Sequence, residues 1–390
     1  MSQTRTPIKV LHVIKNFNLG GAETNLLNLI KAFDPQQLEL HVAYSSGGQI
    51  RERFERENLR LFQYARADHK IKSWATPFIV WRLARYLLAN RIDIVHTHNF
   101  NAHVWGCLAA KLTGRKLVEH VHDYRYLDLE EFRRRKGNVF QYRYIRYFKN
   151  LSDRVVVLTR QDADFLARNH YYPENKVREI RNGIPLELHS DEAGKTRALL
   201  GLSAGMPVVL TSARLSAEKN VALVLDIAPR VLREVPEAQF VIAGDGPLKE
   251  ELEQRVRAEK LEAHVRFIGF YADIQGLLEC ADVFLLPSFL ELHSIAILEA
   301  MSMKVPVVAS RGVGCNSEIF HEGLDGFLLD PFSADGWAEV VVKLLKDPGW
   351  RRQVGERGYQ LCRRDFDIAR VAEKFQALYR ELVPGKEPRV

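Results

Sequence analysis

Two carboxylates, Glu291 and Glu299, stand with seven residues between them in the stretch VFLLPSFLELHSIAILEAMSMKVPVVAS at 283–310. Residues 283–286 form a short apolar run of the kind a parallel sheet buries on both faces. Pro287 ends that run because it has no N–H for the ladder. Ser294 stands where an N-cap belongs, and Ile295, Leu298 and Met301 follow at helical spacing. Residues 305–308 resume the sheet. A helix N-terminus at the carboxyl edge of a parallel sheet offers an anion free N–H groups, here near Ser294 and Ile295, and a positive dipole end. Glu299, in the second turn, is placed to accept from a pair of ribose hydroxyls. Glu291, in the preceding loop, can reach a group beyond the phosphates. Phosphate, ribose and a further polar group together describe a nucleotide sugar. The plainer alternative is a buried strand–helix unit whose glutamates cap helices or face solvent.

Arg214 and Lys219 lie five apart in the polar turn ARLSAEKN, after an apolar strand at 208–212. Around such a turn, Arg as a fork and Lys as a point charge can clamp a diphosphate; two solvated surface cations are the alternative. Histidines gather in HTHN (His96, His98) and EHVHDYR (His120, His122). Residues two apart in a strand share a face, so either pair could ligate zinc. Without a nearby cysteine or carboxylate triad, we expect instead one histidine of each pair in the sheet and the other lining a cleft. Two D-x-D matches, at Asp162 and Asp164 and at Asp365 and Asp367, read as solvated or capping carboxylates rather than a metal site.

The elements that position these residues alternate strand and helix. Strands are expected at 9–14, 38–44, 92–95, 117–122, 154–158, 177–180, 208–212, 240–243, 265–270, 283–286, 305–308 and 326–329. Helices are expected at 76–88, 102–112, 248–261, 337–345, 350–362 and 368–382. This repetition predicts an α/β chain with parallel, helix-covered sheets. Gly20 and Gly21 lie between the first strand and first helix, where a backbone must turn closely past a ligand. The pair is not G-x-G-x-x-G, so the dinucleotide fingerprint of a nicotinamide oxidoreductase is missing. Gly244, in AGDGP, gives another tight strand-to-helix turn. Asn182-Gly183 and Pro185 are turn chemistry, and the polar run 187–196 reads as a linker.

A length of 390 residues suits two domains, and 46% hydrophobic with 27% charged residues is globular composition. No run approaches 18 apolar residues, and MSQTRTP is not a signal peptide. Cys107, Cys280, Cys315 and Cys362 have no C-x-x-C spacing, so a cytoplasmic setting fits. The net charge of +7 suits phosphates, an anionic acceptor or a membrane surface, and is too small to argue for nucleic acid. At 132–150, FRRRKGNVFQYRYIRYFKN sets Phe140, Tyr144, Tyr147 and Phe148 on one stripe beside Arg143 and Arg146. That stripe either lies on an anionic bilayer or packs on the sheet with a solvated basic edge.

The stretch P-S-x-x-E-x-x-S-I-A-I-L-E-A-M-x-x-x-x-P-V-V-A-S resembles the E-x7-E signature of the retaining GT-B glycosyltransferases, the large family numbered four. The segments R-L-S-A-E-K-N, G-D-G-P-L, V-R-F-I-G-F, G-G-A-E and V-H-D resemble further motifs of that family. Leu292 stands where the family usually has glycine. The resemblance implies two Rossmann-like domains facing across a cleft. These are residues 1–186 on the acceptor side, with 367–390 crossing back to them, and 187–366 on the donor side. It implies transfer of a sugar from a UDP- or GDP-linked donor to a hydroxyl of a glycan or lipid-linked acceptor, with retained anomeric configuration. His122 and Glu291 would hold the sugar, and Arg214 and Lys219 would neutralise the leaving diphosphate. Glu299 would hold the ribose, and the backbone at Phe267 and Ile268 would read the base. Gly20, Gly21 and Gly244 would face phosphates and nucleotide. No cofactor or metal is expected beyond the donor. A GT-B sugar-nucleotide epimerase and a non-catalytic sugar-nucleotide-binding protein remain the alternatives.

Overall fold

A computed structural model of the protein describes residues 6–18, 20–65, 76–98, 100–122, 151–169, 171–186, 193–203, 205–271, 273–314 and 316–384. The basic aromatic stretch at 132–150, Cys315 and linker residues 187–192 lie outside them. The chain divides into two compact units, Met1–Gly183 with Ile368–Val390, and Ile184–Asp367.

The first unit alternates β1 (Ile8–Val13), α1 (Gly21–Ala32), β2 (Leu38–Tyr44), α2 (Arg51–Glu55), β3 (Arg60–Gln63), α3 (Thr76–Ala89), β4 (Ile94–His98), α4 (Phe100–Thr113), β5 (Lys116–Val121), β6 (Arg154–Val157), α5 (Arg160–Arg168) and β7 (Val177–Glu179). Among the described residues its sheet runs β3-β2-β1-β4-β5-β6-β7, parallel throughout. Strands such as β1 and β6 are apolar along nearly their whole length because helices cover both faces. Tyr64 and Trp105 fill the core on one face.

The second unit contains α6 (Ala193–Leu199), β8 (Val208–Ser212), α7 (Ala222–Glu234), β9 (Gln239–Ala243), α8 (Lys249–Ala258), β10 (Val265–Gly269), α9 (Ile274–Cys280), β11 (Val283–Leu286), α10 (Ile295–Ser302), β12 (Val307–Ser310), α11 (Asn316–Ile319), β13 (Phe327–Leu329), α12 (Ala334–Lys346) and α13 (Pro348–Asp365). Its parallel strands are ordered β10-β9-β8-β11-β12-β13. The chain then returns as α14 (Ile368–Leu382), which packs Val371, Phe375 and Tyr379 into the core of the first unit.

Both sheets are α/β and doubly wound, as expected. Strand order reverses between β1 and β4, and between β8 and β11. At such a switch point, successive connections leave to opposite faces and open a crevice at the carboxyl ends of the strands. Among the boundaries that differ from expectation, two have a plain cause. Strand β4 runs on through His98 instead of ending at Val95, because His96 and His98 pair in register with β1 and β5. Strand β12 begins at Val307, beyond the donorless Pro306.

Candidate active site

In the second unit Arg214, Lys219, Glu291, Ser294, Ile295 and Glu299 lie on the segments that follow β8 and β11, the two strands of the switch point. The loop after β8 carries Arg214, which is exposed, and Lys219, which is half-buried. The loop after β11 carries Glu291, only 7% exposed. The two loops are tied together. Phe289 N–H donates to the Glu218 carbonyl at 2.9 Å, and Lys219 Nζ lies 2.7 Å from Glu291 Oε1. Ser288 Oγ donates to the same carboxylate oxygen at 2.8 Å. Asn220 adopts a left-handed conformation, φ 49°, and its amide donates to the carbonyls of Pro287 and Pro331. Asn tolerates that conformation better than most residues. Glu218 is held below the usual carboxylate range by the Ser216 hydroxyl and its own backbone amide, with Arg214 and Lys219 nearby.

The turn after β9 packs directly under the Arg214 loop. A Cβ on Gly244, at φ +140°, would stand 1.9 Å from the Ala213 carbonyl oxygen, so only glycine fits there. Leu215 N–H donates to the Asp245 carbonyl at 3.0 Å and locks the two turns. On β10, pairing with β9 skips from Phe267 to Gly269, leaving Ile268 as the extra residue of a bulge on an edge strand. Glu299 lies half-buried in the second turn of α10.

Ser294 occupies the N-cap position of α10, but its side chain makes no capping hydrogen bond, contrary to the expected cap. Leu292, the residue that departs from the family's glycine, is not among the positive-φ residues, so its side chain meets no left-handed backbone strain. Close approach in this loop is supplied by Gly314 instead. At φ +53°, a Cβ on Gly314 would stand 1.9 Å from the Glu291 carbonyl oxygen.

In the first unit, Gly20 precedes α1 and Gly21 opens it, just past the carboxyl end of β1. A Cβ on Gly20 would lie 2.6 Å from Glu23 Oε2. His122 follows β5 and is 8% exposed. The expectation of one histidine per pair in the sheet fails for β4, since His96 and His98 are both buried strand residues. Strand pairing also adds His12, directly opposite His96, which the sequence reading missed.

His12 Nδ1 lies 3.0 Å from His98 Nε2, and His98 Nδ1 lies 3.0 Å from His122 Nε2. Burial pushes His12 down to about 3 and His122 to about 4, and holds His98 well below its ordinary value. The chain is therefore neutral near pH 7, with one proton per ring, and its tautomers are linked. In one direction His122 presents Nδ1–H outward. In the other, His12 Nε2, which is buried without a hydrogen-bond partner, would carry an orphan N–H. An unpaired lone pair is the less costly orphan, so the first direction wins and His122 is a donor through Nδ1.

Two histidine triads, His12–His96–His98 and His98–His120–His122, each bring three ring nitrogens within 4.8 Å of one another. Histidines alone thus supply a set of potential ligands without any cysteine. Their rings meet at mixed angles: His120 on His122 at 22° and His96 on His98 at 24° are stacked, whereas His12 with His96, His12 with His98 and His98 with His120 are tilted by 39°, 31° and 43°.

The D-x-D reading needs one correction. Asp162 is buried in the first turn of α5, where its N–H donates to Thr159 Oγ1, so it is not a solvated carboxylate.

Residues 194–361 match the family described as glycosyl transferases group 1, and residues 19–188 match glycosyltransferase family 4. The chain is similar to the Escherichia coli UDP-Gal:alpha-D-GlcNAc-diphosphoundecaprenol alpha-1,3-galactosyltransferase, 26% identical over 99% of this chain and 100% of that one. It is also similar to a Campylobacter jejuni enzyme named as a PP-undecaprenol alpha-1,4-N-acetyl-D-galactosaminyltransferase, 25% identical over 96% of this chain and 99% of the relative. In fold it matches the crystal structure of Anabaena HepE in complex with UDP-glucose, with TM-score 0.79, 21% identity, and 97% and 100% of the two chains covered. With two switch-point sheets and matches along both of its units, the chain belongs to the group 1 glycosyl transferases and has the GT-B fold.

Proposed function

We propose that the protein is a retaining glycosyltransferase that moves a sugar from a UDP- or GDP-linked donor to a hydroxyl of a glycan or lipid-linked acceptor. The observation that carries this reading is the Lys219–Glu291 pair at the β8/β11 switch point, beside the N-terminus of α10 with Glu299 in its second turn. Arg214, Lys219 and the amides at Ser294 and Ile295 neutralise charge as the anomeric C–O bond to the diphosphate breaks. Glu299 accepts from the ribose hydroxyls, Gly244 lets backbone approach the nucleotide, and the bulge at Phe267 and Ile268 offers backbone groups to the base edge. Glu291 accepts from a sugar hydroxyl, and His122 Nδ1–H donates to a sugar oxygen. Gly20 and Gly21 present backbone beside a phosphate.

In the reaction the acceptor hydroxyl oxygen bonds to the anomeric carbon on the face the diphosphate leaves. Its proton passes to the departing phosphate oxygen, which accounts for retention. Two protein cations on the diphosphate make a divalent metal unnecessary in this reading. The lipid-diphosphate acceptors in the names of the two bacterial relatives support a lipid-linked acceptor.

The test is incubation with UDP- and GDP-sugars and a polyprenyl-diphosphate-linked saccharide. A mass gain of one sugar, with the donor's anomeric configuration kept in the proton spectrum, is expected. Conversion of the donor to its epimer without acceptor would make the protein an epimerase, and saturable donor binding without turnover would make it a binding protein.

A further inference from the structure

Helix α3 is apolar on two opposite sides. Ile79, Val80, Leu83 and Leu87 are buried in the core of the first unit. On the outer side Phe78, Trp81 and Leu88 are 58%, 52% and 56% exposed, and with Arg85 they fall at i, i+3, i+7 and i+10, a single stripe. A surface helix of a soluble domain ordinarily carries polar residues there. The sequence TPFIVWRLARYLLA contains no acidic residue. The rings of Phe78 and Trp81 stack with centroids 5.9 Å apart. The Arg82 guanidinium lies 5.9 Å from the Phe78 ring centre, and that of Arg85 lies 5.6 Å from Trp81. The Arg85 cation is thus held against an exposed ring, while Arg82 also lies 5.5 Å from the Phe62 ring centre and donates to the Gln63 carbonyl at 2.9 Å.

We propose that this face of α3 docks the protein on an anionic bilayer surface. Phe78, Trp81 and Leu88 enter the headgroup boundary, and Arg82 and Arg85 meet lipid phosphates. Charge favours this occupant over a second copy of the chain, because a two-fold pairing through the stripe would set the same arginines against each other. Attachment is peripheral, since no helix among the described residues is long and apolar enough to cross a membrane. The proposal deepens the acceptor half of the proposed function, because a lipid-linked acceptor lies at such a surface, yet it requires no donor chemistry.

The test is co-sedimentation of the full chain with phosphatidylcholine vesicles, with and without phosphatidylglycerol and with no acceptor lipid present. Failure of the transferase reading then leaves the result untouched. Binding is expected only with phosphatidylglycerol, falling as salt rises. Arg82→Ala and Arg85→Ala should each weaken it roughly fivefold, and Phe78→Ser with Trp81→Ser should abolish it. Phe78, Trp81 and Arg85 are exposed and Arg82 is half-buried, so a melting temperature measured for each variant shows that it remains folded. No binding to the anionic vesicles overturns the proposal. So does binding that survives these changes but is lost in Arg143→Glu with Arg146→Glu. So does a dimer in light scattering that Trp81→Ser dissociates.

Discussion

Lys219 Nζ stands 2.7 Å from Glu291 Oε1, an oxygen that also accepts from Ser288 Oγ at 2.8 Å. The lysine comes from the loop after β8 and the glutamate from the loop after β11, so one ion pair joins the two sides of the switch point. In the proposed function the pair also sets a cation beside the donor diphosphate. Lys219→Ala should therefore act twice. It should lower kcat by at least ~100-fold through loss of a preorganised charge. It should also cost about 1–3 kcal/mol of stability, because the buried Glu291 loses a donor. Steady-state kinetics and thermal melts check this, and a change in KM alone removes Lys219 from the role of charge partner.

Glu299 sits one turn inside α10, where a carboxylate can take two ribose hydroxyls at once. Hydrogen bonds to a charged acceptor contribute about 1.5–3 kcal/mol. Glu299→Ala should then weaken UDP binding by about tenfold to a hundredfold. Calorimetric titration measures it, and an unchanged affinity refutes the ribose assignment.

Glycines 314 and 323 share a left-handed backbone, at φ +53° and +77°, but not their surroundings. A Cβ at Gly314 would collide with the Glu291 carbonyl, whereas nothing lies within 4 Å of one at Gly323. Gly323→Ala should cost only the conformational penalty, about 1–2 kcal/mol. Gly314→Ala should cost more and also weaken donor binding, because the Glu291 loop must move. Equal melting temperatures for the two variants would mean that this contact does not hold the loop.

The buried histidines give the fold a pH dependence with a definite sign. Burial lowers His12 to about 3 and His122 to about 4, and His96, His98 and His120 well below their ordinary value. The unfolded chain takes up protons below about 6.5 that the folded chain refuses. Stability is thus full above pH 6.5 and falls as pH drops from there toward 4. Each histidine adds up to about 1.4 kcal/mol per pH unit to the slope. Denaturant melts between pH 6.5 and 5, above most carboxylate titration, should show a slope worth several protons. A flat profile there would mean that these rings are not buried and neutral together.

How much of this was legible in sequence depended on whether a signal was local. The unit from β11 to β12 could be read because Pro287, the helical repeat of Ile295, Leu298 and Met301, and the apolar runs on either side all act within a few residues. Strand β3 could not, because Arg60–Gln63 is four residues of a half-exposed edge with neither clean alternation nor an apolar run. His12 hid inside an otherwise apolar strand, and its meaning arises only when β1 lies beside β4. Ser288 and Gly314 matter through contacts with Glu291 that follow from loop geometry. The glutamates announced themselves by charge in an apolar setting, and the Arg–Lys turn by its place directly after an apolar strand. The tautomer chain behind His122 required strand order first.

The central claim is that the loops around Lys219 and Glu291 bind a nucleoside diphosphate and its sugar. The most direct measurement is a thermal-shift panel of UDP, GDP, ADP, TDP and their sugar conjugates, with and without magnesium, on the wild-type chain and on Glu299→Ala. The account predicts a rise in melting temperature with UDP or GDP and the matching sugars, independent of magnesium and reduced in the variant. A panel that stays flat for every nucleotide would contradict it.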